Sequence, residues 1–365
     1  MINKALLLIA SIFMLPISQI AGQQTGLLPV NQRYSTVFGK MVGEIENQTY
    51  PNIHSVLIYQ NGEQIFEKYF IGKDEAWGTD LGIVEHNENT LHDLRSITKS
   101  IVSICMGLAI QKGFIENTEQ LVFSFFPEHE DLKTNDNESL TIKHLLTMTS
   151  GVKWNENLPY TDPANSEVAM WLSPDPIRYV LSQPLDGLPG NTWNYNGGTT
   201  ELLSAILHKA TGMDIETFAV RYLFDPLGID NYYWAKVPGQ PMPVSASGLR
   251  MLSKDIMKIG VLLLNKGIYQ GKTILEKSWV EDSFHPHVKR NGHGEYGYQF
   301  WIDPIPYKNS SGKLITAVGN GDQRIYIDQE NSLVVVITSG NYNIWNLEKG
   351  SRQLLEDYIY PAIKP

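Results

Sequence analysis

The sequence predicts a mixed α/β (α+β) fold, in which one antiparallel sheet assembled from both chain ends is flanked by helices. A helical lobe of roughly residues 114–283 is expected between the sheet segments. Three observations lead there: strand patterns lie near the start and again near the end, the long middle reads as helical, and no internal repeat or low-complexity linker divides the 365 residues. Hydrophobic residues make up 42% and charged residues 19%, the balance of a chain that buries a core rather than one kept disordered by charge.

The first element is not part of the fold. Lys4 precedes the apolar run Ala5 to Ile17, and the small residues Ala21 and Gly22 follow, so residues 1–22 read as a cleaved signal peptide and 23–365 as the mature domain. The run is shorter than the ~20 residues of a membrane span, and no later span is long and apolar enough, so the expected location is periplasmic or secreted. Next, Ile53 to Tyr59 and Gln64 to Phe70 alternate like strands around Asn61-Gly62, a two-residue hairpin turn. Helical patterns follow at Ile142 to Met148, Thr200 to Thr211 and Lys254 to Lys266, and Gly151, Gly212 and Gly267 lie at or just beyond their ends. Strand patterns return at Tyr296 to Trp301, Leu314 to Val318, Arg324 to Ile327 and Leu333 to Thr338, and Leu347 to Tyr358 closes the chain as a helix.

Composition excludes several functions. Net charge is −10 and no stretch gathers the Lys and Arg needed to neutralise phosphates, so nucleic acid is not an expected partner. Cys105 is the only cysteine, so neither an internal disulfide nor a cysteine-based zinc site can form. His285, His287 and His293 form the only histidine cluster visible along the chain, in a polar loop without metal-ligand spacing; no metal and no cofactor are expected. A Gly-x-Ser-x-Gly elbow and a P-loop are both missing.

Ser-x-x-Lys occurs at Ser96–Lys99, Ser150–Lys153 and Ser310–Lys313, and context chooses among them. Ser150 sits at a helix-ending turn and Ser310 in an Asn-Ser-Ser-Gly loop, settings that do nothing to a lysine's basicity. After Lys99, apolar residues from Ile101 to Ile110 occupy nearly every side of a helix, which marks it as buried. Desolvation is expected to pull the Lys99 pKa down and leave a neutral amine, the form a general base needs. Spacing three places Ser96 and Lys99 on one helix face, within reach for proton transfer, and the helix N-terminus and the Ser96 N–H favour the anionic reacting group. The plainer alternative is a helix cap and a solvated lysine.

The wider chain resembles the class C β-lactamase-related serine hydrolases, a penicillin-binding-protein-like family. The resemblance rests on Leu94-Arg95-Ser96-Ile97-Thr98-Lys99-Ser100, Leu145 to Gly151, Pro189 to Tyr195, Leu223 to Ile229 and Tyr296-Gly297-Tyr298-Gln299, in the expected order from about Ile53 to Tyr342. It implies the serine β-lactamase/DD-peptidase-like fold, Ser96 as nucleophile, Lys99 as base and Tyr195 as third catalytic residue, relaying a proton to the leaving group. Two departures bear on substrate. The usual Tyr-x-Asn is here Tyr195-Asn196-Gly197, and the usual Lys-Thr-Gly or His-x-Gly is Ala317-Val318-Gly319-Asn320-Gly321, with neither Lys nor His. The spelling is similar to the aminohexanoate-dimer hydrolase and esterase branch.

The expected reaction is therefore cleavage of a small-molecule ester or linear amide through an acyl-enzyme. Gly319, Asn320 and Gly321 are expected to supply oxyanion contacts, while Trp154 and Asn196 are expected near the substrate. Lys313 is the only cation on the variant strand, as a strand-end charge. Trp193, Tyr232, Tyr233, Trp234 and Trp301 offer aromatic surface for a cleft or a core. Competing readings are D,D-peptidase or β-lactamase activity and, from another class, a non-catalytic penicillin-binding-like sensor.

Overall fold

The structure, a computed structural model, describes residues 30–240, 242–292, 294–307 and 310–363. The expected signal peptide and His293 lie outside the described residues. Near the N-terminus come helix α1 (Val30–Glu46) and strands β1 (Ile53–Gln60), β2 (Glu63–Tyr69), β3 (Ile71–Ala76), β4 (Thr79–Glu85) and β5 (Leu91–Asp93). Asn61 and Gly62 both take positive φ, 51° and 93°, as the predicted two-residue turn between β1 and β2 requires.

The middle carries α2 (Ile97–Gln111), α3 (Ile142–Leu146), α4 (Ser166–Leu172), α5 (Pro176–Ser182), α6 (Gly197–Thr211), α7 (Ile215–Ala219) and α8 (Asp225–Leu227). Strands β6 (Tyr232–Trp234) and β7 (Leu249–Leu252), helix α9 (Ser253–Leu264), the hairpin β8 (Ile268–Tyr269) and β9 (Lys272–Thr273), and α10 (Lys277–Ser283) follow. The stretch 114–283 thus includes short strands as well as helices. β7 lies between β5 and β6 in a three-stranded sheet that connects this stretch to the segment ahead of α2.

The C-terminal part supplies β10 (Val288–Lys289), β11 (Glu295–Tyr296), β12 (Trp301–Pro304), β13 (Lys313–Gly319), β14 (Gln323–Asp328) and β15 (Leu333–Ser339). These join β1 and β2 in an eight-stranded sheet of order β10-β11-β12-β13-β14-β15-β1-β2, antiparallel throughout. Both chain ends therefore build one sheet. Side-chain alternation sends Leu57, Val334 and Val336 to one face, against α2, α6 and α9, while Val56, Ile58, Val335 and Ile337 face α1 and the C-terminal helix. Helix α9 lies so close to the sheet that a Cβ on Gly260 would stand 2.5 Å from Val334 Cγ1.

Two boundaries differ from expectation. The segment Tyr296 to Trp301 is two strands around a corner rather than one strand: Gln299 has φ 66°, and a Cβ on Gly297 would collide with the Ser283 carbonyl oxygen. The closing helix begins at Ser351, not Leu347, because Gly350 is its N-terminal cap; it runs as Ser351–Leu354, Leu355–Ile359 and Tyr360–Ile363. Among the described residues no helix is long and apolar enough to cross a membrane.

Candidate active site

Ser96 stands at the N-terminus of α2 without a side-chain capping hydrogen bond, and its position follows from the residue before it. Arg95 has φ 49°, a left-handed conformation that non-glycine residues rarely adopt. It is held there by several partners: its guanidinium pairs with Glu75 and with Asp93 Oδ2 at 3.0 Å, it lies 4.9 Å over the Tyr342 ring, and its carbonyl accepts the Thr98 hydroxyl at 2.7 Å. The elbow turns Ser96 toward a cleft that Trp193, Asn194, Tyr195, Trp301 and the Gly319–Gly321 turn also line.

Lys99, three residues on, is 1% exposed. Its Nζ donates to Ser96 Oγ at 3.1 Å and to the Ala246 carbonyl at 3.0 Å, and it stands 5.0 Å from the Tyr195 ring centroid. Two of the three N–H bonds of the ammonium thus have these acceptors. The expected lowering of the Lys99 pKa is not what the structure gives. Burial does pull it down, but Tyr195, Glu167 and Glu156 outweigh burial and hold it above its ordinary value. Burial likewise raises the Tyr195 phenol, which the Lys99 charge partly offsets. The resting pair is an ammonium beside a phenol.

The carboxylates responsible were not legible as site residues. Glu156 accepts from Trp154 Nε1 at 2.5 Å, from Tyr160 Oη at 3.2 Å and from the Gly197 N–H. Glu167 accepts from Ser247 Oγ at 3.1 Å, and burial together with Glu156 raises its pKa. Glu201, on α6, accepts the Ser245 and Ala246 N–H groups at 2.8 and 2.7 Å and so fixes the carbonyl that receives Lys99. Burial pushes Glu201 up to about 8.

Tyr195 precedes α6, whose N-cap is Asn196. The Asn196 side chain is fully buried and accepts the Thr199 N–H at 3.1 Å, so it caps the helix rather than meeting substrate. Trp154 is also behind the cleft wall, 5% exposed, holding Glu156. Glu156 takes the Trp154 indole N–H and the α6 terminus takes the Asn196 Oδ1, while Asn196 Nδ2 is buried without a partner. Trp193 and Trp301 do line the cleft, Trp234 is in the core, and Tyr232 and Tyr233 lie on β6 away from Ser96.

The Gly319–Gly321 turn joins β13 to β14. A Cβ on Gly319 would collide with the Leu94 carbonyl oxygen, so only glycine lets the strand end approach the nucleophile segment this closely. Asn320 is paired on both sides with Asn343, its Nδ2 donating at 2.8 Å and its Oδ1 accepting the Asn343 N–H at 2.8 Å. Lys313 pairs with Glu295 at 3.6 Å, while Arg324 lines the cleft with its charge met by Asp322 at 3.0 Å. The other two Ser-x-x-Lys occurrences are turns: Ser150 Oγ accepts the Val152 N–H and Ser310 Oγ donates to Glu330.

The remaining landmark segments brace this arrangement. Gln299 donates through Nε2 to the Leu145 carbonyl at 3.2 Å, its own carbonyl accepts Ser100 Oγ at 2.7 Å, and Thr200 Oγ1 donates to its Oε1 at 3.3 Å. Three helices, α2, α3 and α6, thus meet at one corner. Met148, φ 58°, offers its sulfur to the Asn196 N–H at 3.3 Å beneath Tyr195.

Comparison with known proteins gives the family. A β-lactamase from Yersinia enterocolitica is 26% identical over 233 residues, 59% of this chain and 55% of the relative. A 6-aminohexanoate-dimer hydrolase from Paenarthrobacter ureafaciens is 24% identical over 267 residues, 67% of this chain and 65% of that protein. The chain thus spans less than two thirds of the length of either relative. The solved structure of EstCE1, a hydrolase with promiscuous acyltransferase activity, superposes with TM-score 0.70 at 16% identity over 92% of this chain and 99% of its own, a likeness of fold. The family model for Beta-lactamase matches residues 54–357, from β1 to the closing helix, and the chain belongs to that family.

Proposed function

We propose that the chain is an exported serine hydrolase that cleaves ester or linear amide bonds through an acyl-enzyme on Ser96. The observation that carries this reading is the 3.1 Å contact from the buried Lys99 Nζ to Ser96 Oγ at the wall of an open cleft. Lys99 is the base and Tyr195 the proton relay. An ammonium has no lone pair to offer, so the reactive form is the one in which the Lys99–Tyr195 pair has lost a proton, leaving a lone pair for the Ser96 hydroxyl.

In that form the Ser96 proton passes to the pair as Oγ bonds to the substrate carbonyl carbon. The tetrahedral oxyanion is met by the Ser96 N–H and an N–H of the Gly319–Gly321 turn. Collapse breaks the bond to the alcohol or amine, which leaves with the proton delivered through Tyr195. Water then attacks the acyl-enzyme, its proton returns through the same pair, and the acid departs with Ser96 restored.

Two features support esters and linear amides over β-lactams: Asn196 is spent as a helix cap, and the strand end at Ala317 to Gly321 carries no free cation for a β-lactam carboxylate. The resemblance in motif spelling and the aminohexanoate-dimer hydrolase relative point the same way. Export rests on the pattern of residues 1–22.

The test is a side-by-side screen of the wild type and Ser96→Ala on p-nitrophenyl esters, aminohexanoate dimers, D-Ala-D-Ala peptides and nitrocefin, with intact-mass detection of a fluorophosphonate adduct. Ester or dimer turnover lost in Ser96→Ala is expected, by about 10³-fold or more. Nitrocefin turnover at β-lactamase efficiency would overturn the substrate assignment, and blank assays without any adduct would favour a sensor.

A further inference from the structure

Behind the nucleophile segment, four side chains from separate elements converge in the interior: His54 on β1, Asp74 on β3, His86 just after β4 and His92 on β5, none more than 6% exposed. His54 Nδ1 is 2.8 Å from His92 Nε2. Asp74 Oδ1 lies 3.9 Å from His54 Nδ1 and 3.7 Å from His92 Nε2, and Asp74 Oδ2 lies 4.0 Å from His86 Nε2. The Asp74 separations are too long for hydrogen bonds. One donor atom from each of His54, Asp74 and His86 falls within 4.8 Å of the others.

The surrounding hydrogen bonds say where the imidazole hydrogens are. Asn52 Nδ2 donates to the Lys73 carbonyl at 2.9 Å and Asn52 Oδ1 accepts the Lys73 N–H at 2.8 Å, which fixes the amide orientation. His54 Nε2 stands 3.2 Å from that Oδ1 and must carry a hydrogen. His92 Nδ1 stands 3.1 Å from the Asp93 carbonyl and must carry one too. As neutral rings, His54 and His92 therefore present bare nitrogens to one another and to a carboxylate. Asp74 Oδ2 and His86 Nε2 are buried without any hydrogen-bond partner.

Tyr342 Oη donates to Asp74 Oδ1 at 3.0 Å, a single hydrogen for a buried carboxylate. The nearby guanidiniums do not supply the missing charge, since Arg95 is paired with Glu75 and Asp93, and Arg250 with Asp93 at 2.8 Å. The cluster is rich in lone pairs and short of a cation, with outward N–H groups fixed by oxygens as in the outer shell of ligating imidazoles. Glycine walls it closely, a Cβ on Gly72 falling 2.6 Å from His54 Nε2.

We propose that His54, Asp74, His86 and His92 bind one divalent transition-metal ion, with the ligand preference of zinc, that fastens the β3–β4 hairpin to β1 and β5. Donors around a tetrahedral zinc at ~2.0–2.1 Å stand about 3.3 Å apart; the 2.8 to 4.0 Å spacings among these atoms bracket that value, and His86 and His92, their ring centroids 5.7 Å apart, close toward one another to complete the site. Three imidazoles and a carboxylate suit zinc, cobalt or nickel rather than calcium or magnesium. Positions 54, 74, 86 and 92 fall on no ligand motif, which is why only the loop histidines stood out in the sequence.

The experiment uses the full chain reconstituted with zinc or with cobalt(II), dialysed, and read by elemental analysis, cobalt d–d absorption and thermal unfolding. About one equivalent of metal per chain is expected, with tetrahedral cobalt bands and a lower unfolding temperature after chelation, all absent in His86→Ala and in Asp74→Asn. Asp74→Asn keeps the side-chain shape and carries the test where His86→Ala does not fold. Metal below about a tenth of an equivalent with no thermal shift would overturn the proposal in favour of a proton-bridged network. Equal metal in wild type and variants would overturn it too, by placing the ion elsewhere.

Discussion

Two buried polar clusters flank the segment from His92 to Lys99, and they balance hydrogens in opposite ways. On the helix side, the Lys99 ammonium gives hydrogens to Ser96 and Ala246, and the carboxylates Glu156, Glu167 and Glu201 each accept from a named donor, with Glu167 Oε2 left over. On the hairpin side, His54, His92 and Asp74 turn acceptors toward acceptors. A cluster that holds its own cation can pass a proton along, whereas a cluster short of hydrogens calls for a cation. Burial alone, equal in the two, does not separate a relay from a site for an ion.

The largest expected effect breaks the Lys99 cluster. Lys99→Met should lower kcat/KM on a p-nitrophenyl ester by about 10³-fold while circular dichroism stays native; a loss under tenfold would show that the cluster is not the relay. Next comes its electrostatic setting. Lys99 and Tyr195 are both raised, so the deprotonated pair accumulates, and the rate climbs, as pH increases. Glu167→Gln removes one of the charges holding Lys99 up and should move that rise toward lower pH by about one unit. An unmoved profile would remove Glu167 from the account.

A smaller effect concerns stability. Glu201 binds its proton more tightly folded, at about 8 against an ordinary 4.5, so its contribution is fully present below about pH 4.5 and is lost as pH rises through about 8. Denaturant titrations across that window should show a decline that Glu201→Gln flattens. The smallest lies outside both clusters: a Cβ on Gly107 of α2 would collide with Trp279, so Gly107→Ala should cost about 1–3 kcal/mol in urea unfolding. If it also lowers turnover without moving the pH profile, α2 acts through its position and not through the proton network.

Local patterns revealed much of this molecule. Alternation and Asn61-Gly62 gave the first hairpin, and the apolar run after Lys99 gave the buried helix that puts the lysine in the interior. The sign of the Lys99 shift was hidden, because Glu156 and Glu167 come from segments more than fifty residues downstream that only folding brings together. Tyr296 to Trp301 reads as a strand because nothing in its composition signals the positive φ at Gln299. Asn196 reads as a substrate contact because position relative to Tyr195 does not say which way an amide turns, and the α6 terminus claims it. The His54 cluster draws on four elements and has no spacing to detect.

The contact between Gly319 and the Leu94 carbonyl has a consequence for when activity first exists. Ser96 and the turn facing it are separated by more than two hundred residues, and the sheet that unites them is complete only when β15 pairs with the β1 edge of the first hairpin. A chain still being made, or threaded unfolded through a membrane, holds a serine with no oxyanion wall opposite it. Labelling of Ser96 by a fluorophosphonate would then report that the sheet is complete, since the β13–β14 turn reaches the Leu94–Ser96 segment only within the assembled sheet.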